Sequence, residues 1–356
     1  MRLLHIHDRL GSRGGADHYV WDLIEHIPVV HGLAVGKNDG EPRISNIPFW
    51  IVEGLDSNRP QPLNMQTVLE EWAPDIIHVH NMMNPNLWEH LEGFPTVVTL
   101  HDHRAFCPGQ GKWTLQGEPC FQVMSQSQCQ TCFTDPDYFE SIYHLTQERQ
   151  SGLKPFHITA VSSYMAEELS AVGLNTRTVI APNVAKQTSR PTQTDTKPII
   201  FVGRLVRSKG VWNAVEAWRK AETDIPLVFV GTGRERGALE RAGFHVTGWI
   251  SREETLRMIS NAAAVLFPPN WQEPYGMVGP EALQFNVPVV AWKSGGIEEW
   301  CPEDFLVDYG DIDGLSQALV AALKAPENLD SSQKNTEKAF TEQWLQAYHE
   351  IMNRVA

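Results

Sequence analysis

Short apolar runs alternate with helix-period segments along almost all 356 residues of the chain, and few folds admit that alternation. The strand-like runs are Leu3–His7, Ile76–His80, Thr96–Leu100, Ile158–Val161, Ile199–Val202, Leu227–Val230, Ala264–Phe267 and Val287–Ala291. Between them lie amphipathic stretches. Val211, Ala214, Val215, Trp218 and Ala221 follow the spacing of one helical face. Ser251 with Glu254 three residues later predicts a capping box that opens a helix near Arg252. Strand then helix, repeated, means parallel sheets covered by helices, an α/β chain.

The length suits two domains. Residues 186–197 form a polar stretch with Pro191 and several threonines, and nothing apolar in it could pack. It reads as a linker between an N-terminal domain, 1–185, and a C-terminal domain, 198–335, each a Rossmann-like doubly wound unit. A last helix over 336–356 carries Phe340, Trp344, Tyr348 and Ile351 on one face. Two such domains imply a cleft, with ligands beyond the carboxyl ends of the strands.

The formal net charge is −14, which argues against nucleic acid as a partner. The first 185 residues hold 11 basic and 21 acidic side chains, and the remainder 18 and 22. The second half is therefore the less repulsive host for an anionic ligand. No apolar run is long enough to span a bilayer. The first residues turn polar too early for a signal peptide, so a cytoplasmic protein is expected, with membrane contact at most peripheral. The stretch between Ala16 and Ile27 has no Lys or Arg, against docking of that helix on anionic lipid.

The most informative segment is Glu273-Pro-Tyr-Gly-Met-Val-Gly-Pro-Glu-Ala-Leu283, which follows a strand and opens a helix. Glu273 and Glu281 are eight residues apart, and a carboxylate can accept two hydrogen bonds from a vicinal diol. Gly276, Met277 and Val278 fall at the helix start, where free backbone N–H groups suit phosphate oxygens. Arg204 and Lys209, in Gly203-Arg-Leu-Val-Arg-Ser-Lys-Gly210, sit on another loop after a strand, where cations would meet a diphosphate. His101 ends a strand beside Asp102 and is suited to a phosphate or a sugar hydroxyl. Gly14 and Gly15 follow the first strand without the GxGxxG of a dinucleotide site.

These motifs resemble those of the retaining glycosyltransferases of family 4, which have the GT-B fold, and the resemblance runs over most of the chain. It implies that Glu273 contacts the transferred sugar and Glu281 the nucleotide ribose. Arg204 and Lys209 would stabilise the departing diphosphate without a catalytic cofactor or metal, and His101 would serve catalysis. It further implies that Gly14 and Gly15 approach the donor phosphate and acceptor, and that the loop bearing Trp249 meets the nucleobase. Pro182-Asn183-Val184-Ala185 departs from the family's Pro-Asn-Gly-Val-Asp, losing a glycine and an acid, so no role is carried over to Asn183.

Four of the five cysteines, Cys107, Cys120, Cys129 and Cys132, lie within 26 residues of an insert over 103–133. Four thiolates with a Cys-x2-Cys pair suit a closed, structural zinc site. Free buried thiols, a disulfide pair and an iron–sulfur cluster are the alternatives.

The expectation is thus a retaining glycosyltransferase. It would move a sugar from a UDP-, GDP- or ADP-sugar to a hydroxyl on a glycan, lipid-linked glycan or small molecule. The rivals are a non-catalytic sugar-nucleotide or partner-binding protein and another GT-B enzyme such as an epimerase.

Overall fold

The computed structural model describes residues 1–11, 14–38, 46–81, 83–109, 111–182, 197–325 and 337–355. Asn183, the linker up to 196 and the expected boundary at 335 lie outside the described residues. The chain divides into two compact units. The first comprises Met1–Gly111, Gln122–Asn183 and Asn335–Ala356, and the second Lys112–Phe121 and Val184–Lys334. The cysteine-bearing insert is therefore shared between them.

In the first unit the order is β1 (Arg2–Leu10), α1 (Gly15–His26), β2 (Val30–Asn38), β3 (Phe49–Ile51), α2 (Gln66–Trp72), β4 (Ile76–His80), α3 (Leu87–His90) and β5 (Thr96–Leu100). There follow α4 (Gln126–Cys129), α5 (Pro136–Leu153), β6 (His157–Ala160), α6 (Ser163–Ala171) and β7 (Thr176–Val179). The seven strands pair in parallel in the order β3-β2-β1-β4-β5-β6-β7.

The second unit continues with β8 (Ile199–Val202), α7 (Val211–Lys220), β9 (Leu227–Val230), α8 (Arg236–Arg241), β10 (His245–Val246), α9 (Arg252–Ser260), β11 (Ala264–Phe267) and α10 (Val278–Gln284). It closes with β12 (Val289–Trp292), β13 (Leu306–Val307) and α11 (Ile312–Ala322). Its six strands are also parallel, in the order β10-β9-β8-β11-β12-β13. The last helix, α12 (Glu337–Val355), belongs to the first unit. Among the described residues no helix is long and apolar enough to cross a membrane.

Both sheets are doubly wound, so each has a point where the strand order reverses. It lies between β1 and β4 in the first and between β8 and β11 in the second. Loops leaving adjacent strands at such a point diverge to opposite faces and open a crevice for a ligand. In the second unit those loops carry Lys209 and Glu273.

Local sequence accounts for the framing helices. Ser251 Oγ accepts from the Glu254 N–H, and the Glu254 carboxylate accepts from the Ser251 N–H, which closes the capping box of α9. The apolar face of α7 buries Val211, Ala214, Val215 and Ala217 against Phe201, Phe229 and Leu266 of the sheet.

The first sheet has an unusual face. His5 and His7 on β1 are in register with His78 and His80 on β4. The period of two puts all four on one side, while Leu4, Ile6, Ile77 and Val79 point to the other. All of these side chains are buried. The imidazole side meets aromatic residues of α1 and α12. The Tyr348 hydroxyl lies 2.8 Å from His78 Nδ1, and Trp344 Nε1 donates to the Tyr19 hydroxyl at 3.1 Å.

Candidate active site

The second unit gathers a charged cluster at its switch point. Lys209 ends a short 3-10 turn after β8, and Gly210 follows it at φ +76. A Cβ at Gly210 would lie 1.7 Å from the Pro268 carbonyl oxygen, so the β8 loop packs directly on the β11 loop only because residue 210 is glycine. This approach delivers Lys209 Nζ to Glu273 Oε2 at 2.7 Å. Trp271 Nε1 donates to the same oxygen at 2.7 Å, and the Lys209 ammonium stands 4.2 Å from the Trp271 ring centroid. Burial lowers the Lys209 pKa, and Glu273 acts in the opposite direction. Glu273 is buried, and Lys209 and Trp271 hold its Oε2 in place before any ligand arrives.

Gly276 lies at φ +83, and a Cβ there would come within 2.8 Å of the Phe267 ring. The chain turns at this glycine into α10. The N–H groups of Gly276, Met277 and Val278 take no hydrogen bond among the described residues. Glu281 lies one turn further on and is buried. Arg252 Nη1 of α9 lies 2.7 Å from Glu281 Oε1, a buried ion pair. Burial raises the Glu281 pKa, against the pull of Arg252. Arg204 is exposed on the β8 loop, and Trp249 is 52% exposed after β10.

In the first unit, His101 and Asp102 follow β5. Asp102 takes three hydrogen bonds from Arg104, two of them from the guanidinium, and Arg104 Nη1 also reaches Asp8 Oδ2 at 3.0 Å. Burial alone would raise the Asp102 pKa; the charge and hydrogen bonds of Arg104 outweigh it and hold the carboxyl well below its usual range. Burial first, and His7 second, depress His101 to about 3, so its ring is neutral. His101 lines a small recess, partly open to solvent, with Asn81, Asp102, Arg104 and Arg149. Gly14 caps α1 at φ −120, a conformation open to any residue, and its N–H donates to Asp17 Oδ2 at 3.1 Å. Gly15 is the first residue of α1. Backbone strain therefore gives no reason for glycine at 14.

The cysteines form no disulfide. A Cβ at Gly109 would lie 3.7 Å from Cys107 Sγ and 3.9 Å from Cys132 Cβ, so those two side chains flank one turn. Cys107, Cys129 and Cys132 belong to the first unit. Cys120 falls in the second unit. Four thiolates suit a structural zinc, which stands as a proposal for Cys107, Cys120, Cys129 and Cys132, and no step below uses a metal.

Sequence reasoning named Glu273, Lys209 and Glu281 for the site but not Trp271 and Arg252 beside them. Trp271 stands inside the same motif, where an indole two residues before the glutamate was the available signal. Arg252, the partner of Glu281, carried no signal, because only the fold brings α9 to α10.

Residues 185–339 match the family model described as Glycosyl transferases group 1, and residues 13–185 the one described as Glycosyltransferase Family 4. An alpha-maltose-1-phosphate synthase of Mycobacterium tuberculosis is 33% identical over 144 residues, 35% of this chain and 37% of that protein. A glycogen synthase of the same species is 25% identical over 249 residues, 64% of this chain and 54% of that one. The matched stretches thus span about a third to a half of those relatives' lengths. The crystal structure of Anabaena Alr3699/HepE with UDP-glucose superposes with a TM-score of 0.70 at 16% identity, covering 98% of this chain and 100% of that one. That likeness is one of fold. With motifs, both sheets and both family matches in agreement, the chain is a member of the group 1, family 4 glycosyltransferases and has their GT-B architecture.

Proposed function

We propose that the chain transfers a sugar from a nucleotide-diphosphate donor to a hydroxyl acceptor with retention at the anomeric carbon, and without a divalent ion at the diphosphate. The second unit holds the donor. The observation that carries this reading is the pair of buried carboxylates flanking the start of α10, one fixed by Lys209 and Trp271, the other paired with Arg252. A carboxylate has lone pairs on both oxygens, so one ion pair with Arg252 leaves Glu281 able to accept from ribose hydroxyls. Glu273 receives hydroxyls of the transferred sugar. The open N–H groups of residues 276–278 and the exposed Arg204 meet the diphosphate, and the Trp249 loop meets the base.

As the bond from the anomeric carbon to the phosphate oxygen breaks, negative charge grows on the diphosphate. Arg204 and Lys209 are fixed cations that stabilise it. The acceptor oxygen bonds to the same face of the carbon, and its proton passes to a departing phosphate oxygen. The first unit supplies His101 and the acceptor surface, with Gly14 and Gly15 beside it. Neighbours of this fold that hold UDP-glucose support the donor class. The test is release of nucleotide from UDP-, GDP- and ADP-sugars in the absence of acceptor, with binding followed by thermal shift. Slow release from one donor, lost in Glu273→Gln, is expected. No binding of any sugar nucleotide would overturn the reading.

A further inference from the structure

Four imidazoles of the first unit, three of them buried, form one hydrogen-bonded file. His31 Nε2 lies 2.9 Å from the carbonyl oxygen of Ile27. His31 Nδ1 lies 3.0 Å from His5 Nε2, His5 Nδ1 is 3.3 Å from His80 Nε2, and His80 Nδ1 is 3.1 Å from His101 Nε2. The rings of successive members are stacked, with centroids 5.3 to 5.6 Å apart. Every link uses the δ nitrogen of one ring and the ε nitrogen of the next.

The end of the file sets its direction. A backbone carbonyl only accepts, so His31 Nε2 must carry hydrogen. A neutral imidazole has one N–H and one lone pair, so His31 Nδ1 accepts and His5 Nε2 donates to it. The same logic makes His5 Nδ1 accept from His80 Nε2, and His80 Nδ1 accept from His101 Nε2. We propose that the Ile27 carbonyl, acting through His31, His5 and His80, locks His101 in its Nε2–H tautomer and leaves Nδ1 as an obligate hydrogen-bond acceptor.

Burial holds His5, His31 and His80 below the ordinary histidine value, which keeps each ring neutral as the argument needs. His101 Nδ1 takes no other hydrogen bond among the described residues. Such an acceptor recognises a hydroxyl and cannot donate to a phosphate oxygen. On the glycosyltransferase reading, on which this step rests, His101 therefore orients a hydroxyl of sugar or acceptor. The file ends on an amide carbonyl, which takes no proton at neutral pH. It orients the terminal ring and does not conduct protons away. His5, His31 and His80 are positioning residues.

The test is a long-range proton–nitrogen correlation spectrum of the full chain labelled with nitrogen-15 histidine, assigned through single-histidine variants. A pyrrole-type Nε2 and a pyridine-type Nδ1 are expected for His5, His31, His80 and His101. An Nδ1–H or doubly protonated His101 near neutral pH overturns the proposal, whatever the activity. His31→Phe keeps a stacked ring on His5 but removes the link to Ile27. It should convert His101 to a mixture of tautomers and lower kcat about five-fold, with little change in donor KM. His31→Gln, whose amide can accept and donate in the same order, should restore part of both. An unaltered His101 signal in His31→Phe also overturns the lock. If His31→Phe does not fold, the wild-type spectrum decides. A locked tautomer in a chain that releases nucleotide from no donor would instead sink the enzymatic reading and leave the lock standing.

Discussion

Replacing Arg252 by methionine tests how Glu281 is held. Glu281 is 5% exposed at its side chain and Arg252 17%, and their charged atoms are 2.7 Å apart. Methionine fills most of the arginine stem, so the loss is mainly electrostatic. Removing one partner of a buried pair costs about 3–5 kcal/mol, because the other charge is left in a poor solvent. The partial exposure of Arg252 puts the expected loss at the lower end, about 3 kcal/mol at pH 7. In melting temperature that is roughly 10 °C for a unit of this size.

The pH dependence separates this cause from lost packing. The folded pKa of Glu281 is raised by burial. From the unfolded carboxylate value up to the folded one, the native state binds more protons than the unfolded state, so this group's contribution to stability falls as pH rises. Without Arg252 the folded pKa rises further. Lowering the pH to 5 therefore neutralises more of Glu281 in Arg252→Met than in the parent, and the penalty should shrink, to about 1 kcal/mol. Glu281→Gln in the same chain should recover most of the loss at pH 7. Denaturant titrations at the two pH values, followed by the fluorescence of the buried Trp292 and Trp300, give both numbers. A penalty of equal size at pH 5 and pH 7, unrelieved by the second substitution, would refute the reasoning.

Three further outcomes follow from the same geometry. Glu273→Gln should lower turnover roughly 100-fold while nucleotide affinity is kept, because it frees Lys209 and loosens the sugar; initial rates with the preferred donor decide, and full activity refutes the assignment. Chelation with EDTA should leave the rate within about two-fold, since Arg204 and Lys209 supply the cations; a collapse reversed by magnesium would place a divalent ion at the diphosphate. Gly279→Ala should destabilise the second unit by about 2–3 kcal/mol, because its Cβ would lie 1.9 Å from the Trp300 ring, whose Nε1 donates to the Tyr275 carbonyl. An unchanged denaturant midpoint would remove that packing argument.

Strands that read as uninterrupted apolar runs were legible, and β4, β5, β8, β9 and β11 lie where the pattern put them. The run expected at 287–291 is β12, shifted to Val289–Trp292. β2 was not found, because Gly32 and Gly36 break its apolar pattern. The reason for those glycines is remote in sequence. A Cβ at Gly32 would meet the Trp72 ring at 2.8 Å, and one at Gly36 the Asp56 nitrogen at 2.4 Å. Single-sequence periodicity registers what a strand buries on its faces, not which distant segment lies against its backbone. In the candidate site, spacing within one loop was readable, as for Glu273 and Glu281. The pairings Lys209–Glu273 and Arg252–Glu281 join segments 64 and 29 positions apart, and no local pattern encodes them.

The histidines show the same division. Strand alternation places His5 with His7 and His78 with His80, yet alternation would serve equally well for a solvated face. Their burial becomes tolerable only through donors and acceptors from elsewhere. His78 alone lies between Thr99 Oγ1 at 2.7 Å and the Tyr348 hydroxyl at 2.8 Å, the latter 270 positions away. A buried polar layer of this kind specifies its geometry more tightly than leucines would, because each ring of the His31–His5–His80–His101 file has one acceptable tautomer. The helix that supplies Tyr348 and Trp344 is thus more than a cover. It seals the layer from which His101 emerges, and the orientation of the one imidazole that meets solvent depends on rings that never do.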